Sequence, residues 1–210
     1  MELVKTQNVQ LVLYFDVDIR SKIINLCSEF TKDDEAVRPM ILPFDQGPFP
    51  PADMPLAIVT FGNIGQLQIC ASLVSISTLN IDNAMEIGKK VIRIFKKCDF
   101  SFYRIGVISG YAFPNEKISI IKEEMFQSEA APSLDFSYAR FITEPFTKSI
   151  NANVWKKYFT NTEATPDLLA EFDINTLITE KHEIDEKFFV AFLVFTQEVA
   201  KKHLGEDHVL

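Results

Sequence analysis

The stretch from Ile184 to Leu204 carries more apolar surface than one packing face can use. Ile184, Phe188, Phe192, Phe195 and Val199 recur at spacings of four, four, three and four residues, which puts them on one stripe of a helix. Phe189, Val190, Leu193 and Val194 cover much of the opposite side. A helix that is apolar nearly all round must be buried on two faces. Two settings would do this: a central position between two sheets, or one sheet plus a neighbouring chain at Phe189 and Leu193. We expect the first. The second would make the chain an obligate homodimer.

The rest of the chain supplies the strands such a helix needs. Val9 to Val17 reads as a strand, and Asp18 as the cap of a helix from Ile19 to about Phe30. Arg38 to Pro55 holds six of the ten prolines, so regular structure is not expected there. Pro48-Phe49-Pro50-Pro51 within it reads as part of a flap folded back on the protein rather than an external recognition motif. Leu56 to Phe61 and Gln66 to Thr78 read as strands joined by a plain turn at Gly62-Asn63-Ile64-Gly65, and Asp82 as the cap of a helix reaching Lys97. Further strands are expected at Phe100 to Tyr111, Leu134 to Ile142, Val154 to Thr160 and Leu168 to Ile178. A helix is expected from Pro114 to about Phe126, and the last helix should start at Asp185 and stop at Gly205.

Both halves thus run strand, helix, two strands, helix. Asn80-Ile81-Asp82 matches Glu183-Ile184-Asp185 before the closing helices, which both end in Lys-Lys, at Lys96-Lys97 and Lys201-Lys202. We expect an α+β fold of two similar βαββα units with mainly antiparallel sheets packed against helices and the terminal helix central. Residues 1–99, including a Pro-rich loop at 32–55, would form the first half and 100–210 the second, within one compact domain.

Charge and cysteine narrow the function. Asp and Glu exceed Lys and Arg by 29 to 21, a formal charge of −8, which opposes association with nucleic acid. The densest basic run, Lys89, Lys90, Arg93, Lys96 and Lys97, alternates with apolar residues and reads as a solvated helix face. Cys27, Cys70 and Cys98 form no C-x-x-C, so a reduced, cytoplasmic setting is expected, with buried and inert thiols. The longest apolar run, Phe188 to Phe195, is eight residues where a spanning helix needs about 20, so no membrane is expected.

Chemistry-bearing motifs are few. His182, His203 and His208 make no H-E-x-x-H, and Asp16 with Asp18 reads as a strand end and a cap, so neither metal nor cofactor is expected. There is no G-x-S-x-G, G-x-G-x-x-G or G-x-x-x-x-G-K-[ST]. Arg104 and Arg140 each lie in a strand-like run beside a tyrosine, Tyr103 and Tyr138. Arginine in a strand asks for an acid or an anion, so these four are the candidate ligand-binding residues if their strands are neighbours.

Arg104-Ile105-Gly106-Val107, then Phe172-Asp173-Ile174-Asn175 and Ile184-Asp185 before the terminal helix, resemble a sporadically distributed, functionally uncharacterised bacterial protein family. Its members have a middle Arg-Ile-Gly strand and a late Asp-Ile-Asp strand; Asn175 departs from that last acid. The resemblance implies a similar fold and a bacterial or phage origin, without an activity. The expected function is an intracellular non-catalytic binding or interaction protein, such as an inhibitor, immunity or regulatory factor, acting on a protein partner or as a homodimer. The alternative is a small-molecule sensor or enzyme acting on an anionic ligand at a Tyr/Arg-lined cleft.

Overall fold

The computed structural model describes residues 5–32, 37–43, 53–113, 137–161, 167–177 and 181–204. Its strands are β1 (Lys5–Tyr14), β2 (Val37–Ile41), β3 (Ala57–Phe61), β4 (Gly65–Ile69), β5 (Leu73–Thr78), β6 (Arg104–Phe113), β7 (Ser137–Pro145), β8 (Asn151–Asn161) and β9 (Asp167–Thr176). Its helices are α1 (Ile23–Lys32), α2 (Ile81–Lys97) and α3 (Glu186–Leu204). The strands form one antiparallel sheet in the order β2-β3-β4-β5-β1-β6-β9-β8-β7. The protein is therefore α+β, as expected, but with one large sheet where two were expected. The β1–β6 pair, from Leu11↔Val107 to Tyr14↔Arg104, joins the two halves of the chain through this sheet.

All three helices share one side of it. Leu11 and Leu13 of β1, Ile105 and Val107 of β6, Phe172 and Ile174 of β9 and Val154 of β8 point into the core, as the period of two in a strand requires. α1 packs on β2, β3 and α2; α2 packs on β1, β4, β5 and α3; α3 reaches β6. The other side of the sheet carries no helix among the described residues.

Several boundaries differ from the sequence reading for local reasons. The run Gln66 to Thr78 is two strands, because the chain turns where Cys70 N–H donates to Leu73 O at 2.9 Å. Asp18 does not cap a helix: its carboxylate accepts from Arg20 N–H at 2.9 Å and leads into one 3-10 turn, Arg20–Lys22, before α1. Asn80 rather than Asp82 caps α2, accepting from Asn83 N–H at 2.8 Å. Asp185, expected as the first residue of the last helix, instead stands just before α3 and caps it, taking the Phe188 N–H at 2.7 Å. Part of the Pro-rich segment is regular after all: β2 includes Pro39, which an edge strand tolerates because its missing N–H costs no internal ladder bond. Four strands, not two, separate α1 from α2. Pro48 to Pro51, the helix expected from Pro114 and Gly205 lie outside the described residues.

The terminal helix is buried on two faces, though not between two sheets. The sheet covers one side and α2 the other. Phe189 and Leu193, the residues offered as a possible subunit interface, are fully buried inside this single chain. The close approach of the helices depends on Gly88: a Cβ there would stand 2.1 Å from Phe189 Cζ and 2.9 Å from two further ring carbons. Phe146, from the β7–β8 turn, covers a third flank, 5.2 Å from the Phe192 and Phe195 rings.

Gly88→Ala should accordingly destabilise the protein. Alanine gains about 1 kcal/mol of helix propensity. Overpacking a closed core costs about 1–3 kcal/mol, and the fully buried Phe189 ring has no free space to take. A lowered midpoint of urea unfolding, largely restored when Phe189→Leu is added, is the expected outcome; an unchanged midpoint for the single variant would remove this contact from the account.

Candidate functional site

The helix-free side of the sheet is built by register. One row crosses all nine strands: Arg38, Thr60, Gln66, Ser77, Gln10, Ile108, Asp173, Trp155 and Phe141 are successive cross-strand partners. Over β3, β4 and β5 this face is uncharged and rich in hydroxyl and amide groups, and Gln10 Nε2 of β1 donates to Ser75 Oγ at 3.0 Å. Towards β7 the character changes. Phe141 and Trp155 are 47% and 42% exposed, with ring centroids 5.1 Å apart. Around them lie Asn153, Asp173, Asn175 and the Lys157–Glu171 ion pair at 2.6 Å. An apolar aromatic centre with a polar margin is the usual composition of a protein-binding surface.

On the helix side the same two strands carry charge. Arg140 and Lys156 are direct cross-strand partners there, beside the last turn of α3. Lys156 is only 9% exposed, and its ammonium lies 3.0 Å from His203 Nδ1. With the ammonium as donor, Nδ1 accepts and the single proton of the neutral imidazole sits on Nε2, which stands 3.4 Å from Glu144 Oε1. Lys202 donates to both Glu144 oxygens at 2.9 and 3.1 Å, and Tyr158 OH donates to His203 O at 3.4 Å.

Burial sets the acid–base properties of this cluster. It pushes the Lys156 ammonium below its ordinary range, helped by the Arg140 charge opposite. It pushes the His203 imidazole down as well, helped by Lys156. The Lys202 hydrogen bonds hold the Glu144 carboxyl below the usual carboxylate range.

The four residues expected to line a ligand cleft are not brought together. Arg104 lies on the helix-free face, stacked over the Tyr14 ring at 4.8 Å, with Nη2 3.3 Å from Asn175 Oδ1 and Nε 3.4 Å from Thr176 O. Tyr103 sits just before β6, with its N–H donating to Tyr14 O. Tyr138 and Arg140 lie on the opposite face, with β9 and β8 between their strand and β6. The two strands are not neighbours, so the Tyr/Arg cleft does not form. Arg104 instead satisfies its fork with an aromatic face, an amide and a carbonyl.

Other expected chemistry is placed plainly. No group of three His, Cys, Asp or Glu among the described residues could hold a metal ion. Cys27 and Cys70 are buried, and burial pushes both thiols up to about 11, far from a reactive thiolate. Asp16 pairs with Lys181 at 2.5 Å. No described helix is long and apolar enough to cross a membrane. A 340 Å³ groove between α2 and the start of α3 is bridged at its mouth by Arg93 and Glu186, 2.8 Å apart.

Phe141, Trp155 and Lys156 were not singled out from sequence, and His203 was weighed only as a metal ligand and set aside. Alternation in 151–161 held a usable signal, since Val154, Lys156 and Tyr158 share one parity and Trp155, Lys157 and Phe159 the other. No protein-family model matches the chain, and no curated protein matches its sequence.

The contact between Lys156 and His203 makes a measurable prediction. Lys156→Met keeps the volume but removes the charge, so the His203 pKa, followed by NMR of its ring protons, should rise while staying below the ordinary value of about 6.5. In the wild type the folded-state pKa lies below the unfolded one, so the unfolded chain binds more protons between them. The associated stability is present above the unfolded pKa and lost as pH falls through the folded one. In Lys156→Met this acid loss should shrink; an unmoved His203 titration would mean that the two groups are not in contact.

Proposed function

We propose that this chain is a non-catalytic binding protein whose docking surface is the helix-free face of the sheet at its β7–β8–β9 end. The carrying observation is the exposed Phe141–Trp155 pair ringed by amides and charged groups on a face that no described helix covers. Folding has left a tryptophan and a phenylalanine in water side by side on a rigid, hydrogen-bonded platform. Each is a little under half exposed, so complete burial would add about half of the ~1.5–3 kcal/mol that a wholly exposed side chain gains, and neighbouring aromatics concentrate that gain. The surrounding Asp173, Asn153, Asn175, Lys157 and Glu171 would set orientation rather than strength.

The mirrored strand order supports the duplicated-unit reading of the fold. β5, β4 and β3 follow outward from β1 as β9, β8 and β7 follow outward from β6, and α2 and α3 each close their half. On this reading the two ends have diverged. The β4–β5 end keeps a polar, uncharged face, and the β7–β8 end carries the aromatic pair.

A photo-crosslinking residue in place of Trp155, expressed in the native host, tests the proposal. It should yield a discrete adduct with one protein species, absent when Phe141→Asp is added and absent from a control with the probe at Ile24, an exposed apolar position on α1. Failure to form any adduct at 155, or the same adducts from both positions, would reject this docking face.

A further inference from the structure

We infer that β7 pairs antiparallel with β7 of a second copy of this chain, about a twofold axis at Ile142. The inference rests on the reading of this end of the sheet as an interaction surface and names the partner that takes its edge.

The two edges of the sheet are not equivalent. β2 is five residues long with Pro39 in its middle, a common protection against further pairing. β7 is nine residues long, pairs with β8 without a bulge, and exposes Ser137, Ala139, Arg140, Phe141 and Thr143. Its proline, Pro145, is its last residue. The direction of its free backbone groups follows from the hairpin. Phe146 N–H donates to Ile150 O, one step beyond the Pro145↔Asn151 pair, so the even positions of β7 bond inward to β8. Ser137, Ala139, Phe141 and Thr143 then direct N–H and C=O outward, and Pro145 falls in this series, where a missing N–H costs the chain nothing. A nine-residue edge that pairs with nothing further among the described residues is a template for one more strand.

Charge selects both the occupant and the register. Arg140 and Glu144 are the only charged residues of β7, and both lie on its helix side, four apart. In a self-pair centred on Ile142, each Arg140 stands opposite Glu144 of the other copy, and both ion pairs form at once by symmetry. Among the described residues no carboxylate lies at ion-pair distance from Arg140, so its charge is available for this. Centring on Phe141 leaves Arg140 opposite Ile142, and centring on Arg140 sets the two arginines against each other. In the Ile142 register Arg140 and Glu144 fall at non-hydrogen-bonded positions, where side chains approach most closely. Phe141 and Thr143 exchange the backbone bonds. On the other face the two Phe141 side chains become diagonal neighbours, about 7–8 Å apart in backbone terms. The aromatic pair at the margin of one sheet becomes the centre of a sheet with nine strands from each copy.

Sedimentation of the purified full chain over a range of concentrations tests this, with circular dichroism to show that each variant is folded. Wild type should pass from monomer to dimer as concentration rises. Arg140→Glu alone and Glu144→Arg alone should both remain monomeric where wild type is dimeric, because each sets like charges opposite one another. An equimolar mixture of the two variants should dimerise, since every cross-strand pair is then of opposite sign. Should the Glu144 variant lose its fold with its Lys202 contact, Arg140→Glu with a partner carrying Glu144→Gln decides, the mixture associating more tightly than Arg140→Glu alone. Wild type monomeric throughout, single variants that dimerise like wild type, or a mixture no tighter than its components would each overturn the pairing. A monomeric wild type that still gives a heterologous adduct from position 155 removes the second copy and leaves the binding role, whereas an adduct only with itself does the reverse.

Discussion

The contact of Phe189 with Gly88 is the constraint on which the rest of the architecture depends. It lets α3 lie close enough to α2 for one layer of helices to cover one side of a sheet drawn from both halves of the chain. A side chain at position 88 would push the two helices apart and open the core where Phe189, Leu193 and Val91 meet. The apolar circumference of α3 is thereby covered within one chain except at Val194, which is 41% exposed. Its burial takes Phe189 and Leu193 away from any partner.

With the helices all on one side, the strands of the second half acquire two different surfaces. In β7 and β8 the odd positions give Phe141 and Trp155 to the helix-free face, and the even positions give Arg140, Glu144 and Lys156 to the helix side. One face offers apolar area and the other fixes the end of α3. The arrangement follows from a period of two applied to two adjacent strands, so a change of one residue in register would exchange the roles entirely.

Much of this was legible in the sequence. The apolar rod at Phe188 to Phe195, its start at about Asp185, the turn at Gly62 to Gly65 and most strands follow from local patterns that the tertiary structure keeps. What escaped was decided by contacts distant in the chain. Arg104 and Arg140 look alike in sequence, but the crossover order places β9 and β8 between them, and antiparallel pairing puts them on opposite faces. Whether Phe189 meets a sheet, a helix or another chain depends on Gly88, which lies 101 residues before it. Alternation separates Trp155 from Lys156, but which parity is exposed depends on the side of the sheet that the helices take.

The charged cluster beneath β7 and β8 is best understood as the far anchor of α3. At its start the helix is tied to the middle of the sheet by Ile184 N–H donating to Phe102 O at 2.9 Å, by the Asp185 cap, and by Glu186 against Arg93. At its end Lys202 meets Glu144, His203 meets Lys156, and Tyr158 donates to the His203 carbonyl. From Asp185 to His203 the rise is about 27 Å at 1.5 Å per residue, enough to cross several strands spaced about 4.8 Å apart. Cations beside the last turn are favoured by the helix dipole, which accounts for a nearly buried lysine there without a ligand. Fixed at both ends, α3 ties the strand β6 to the β7–β8 hairpin across the sheet.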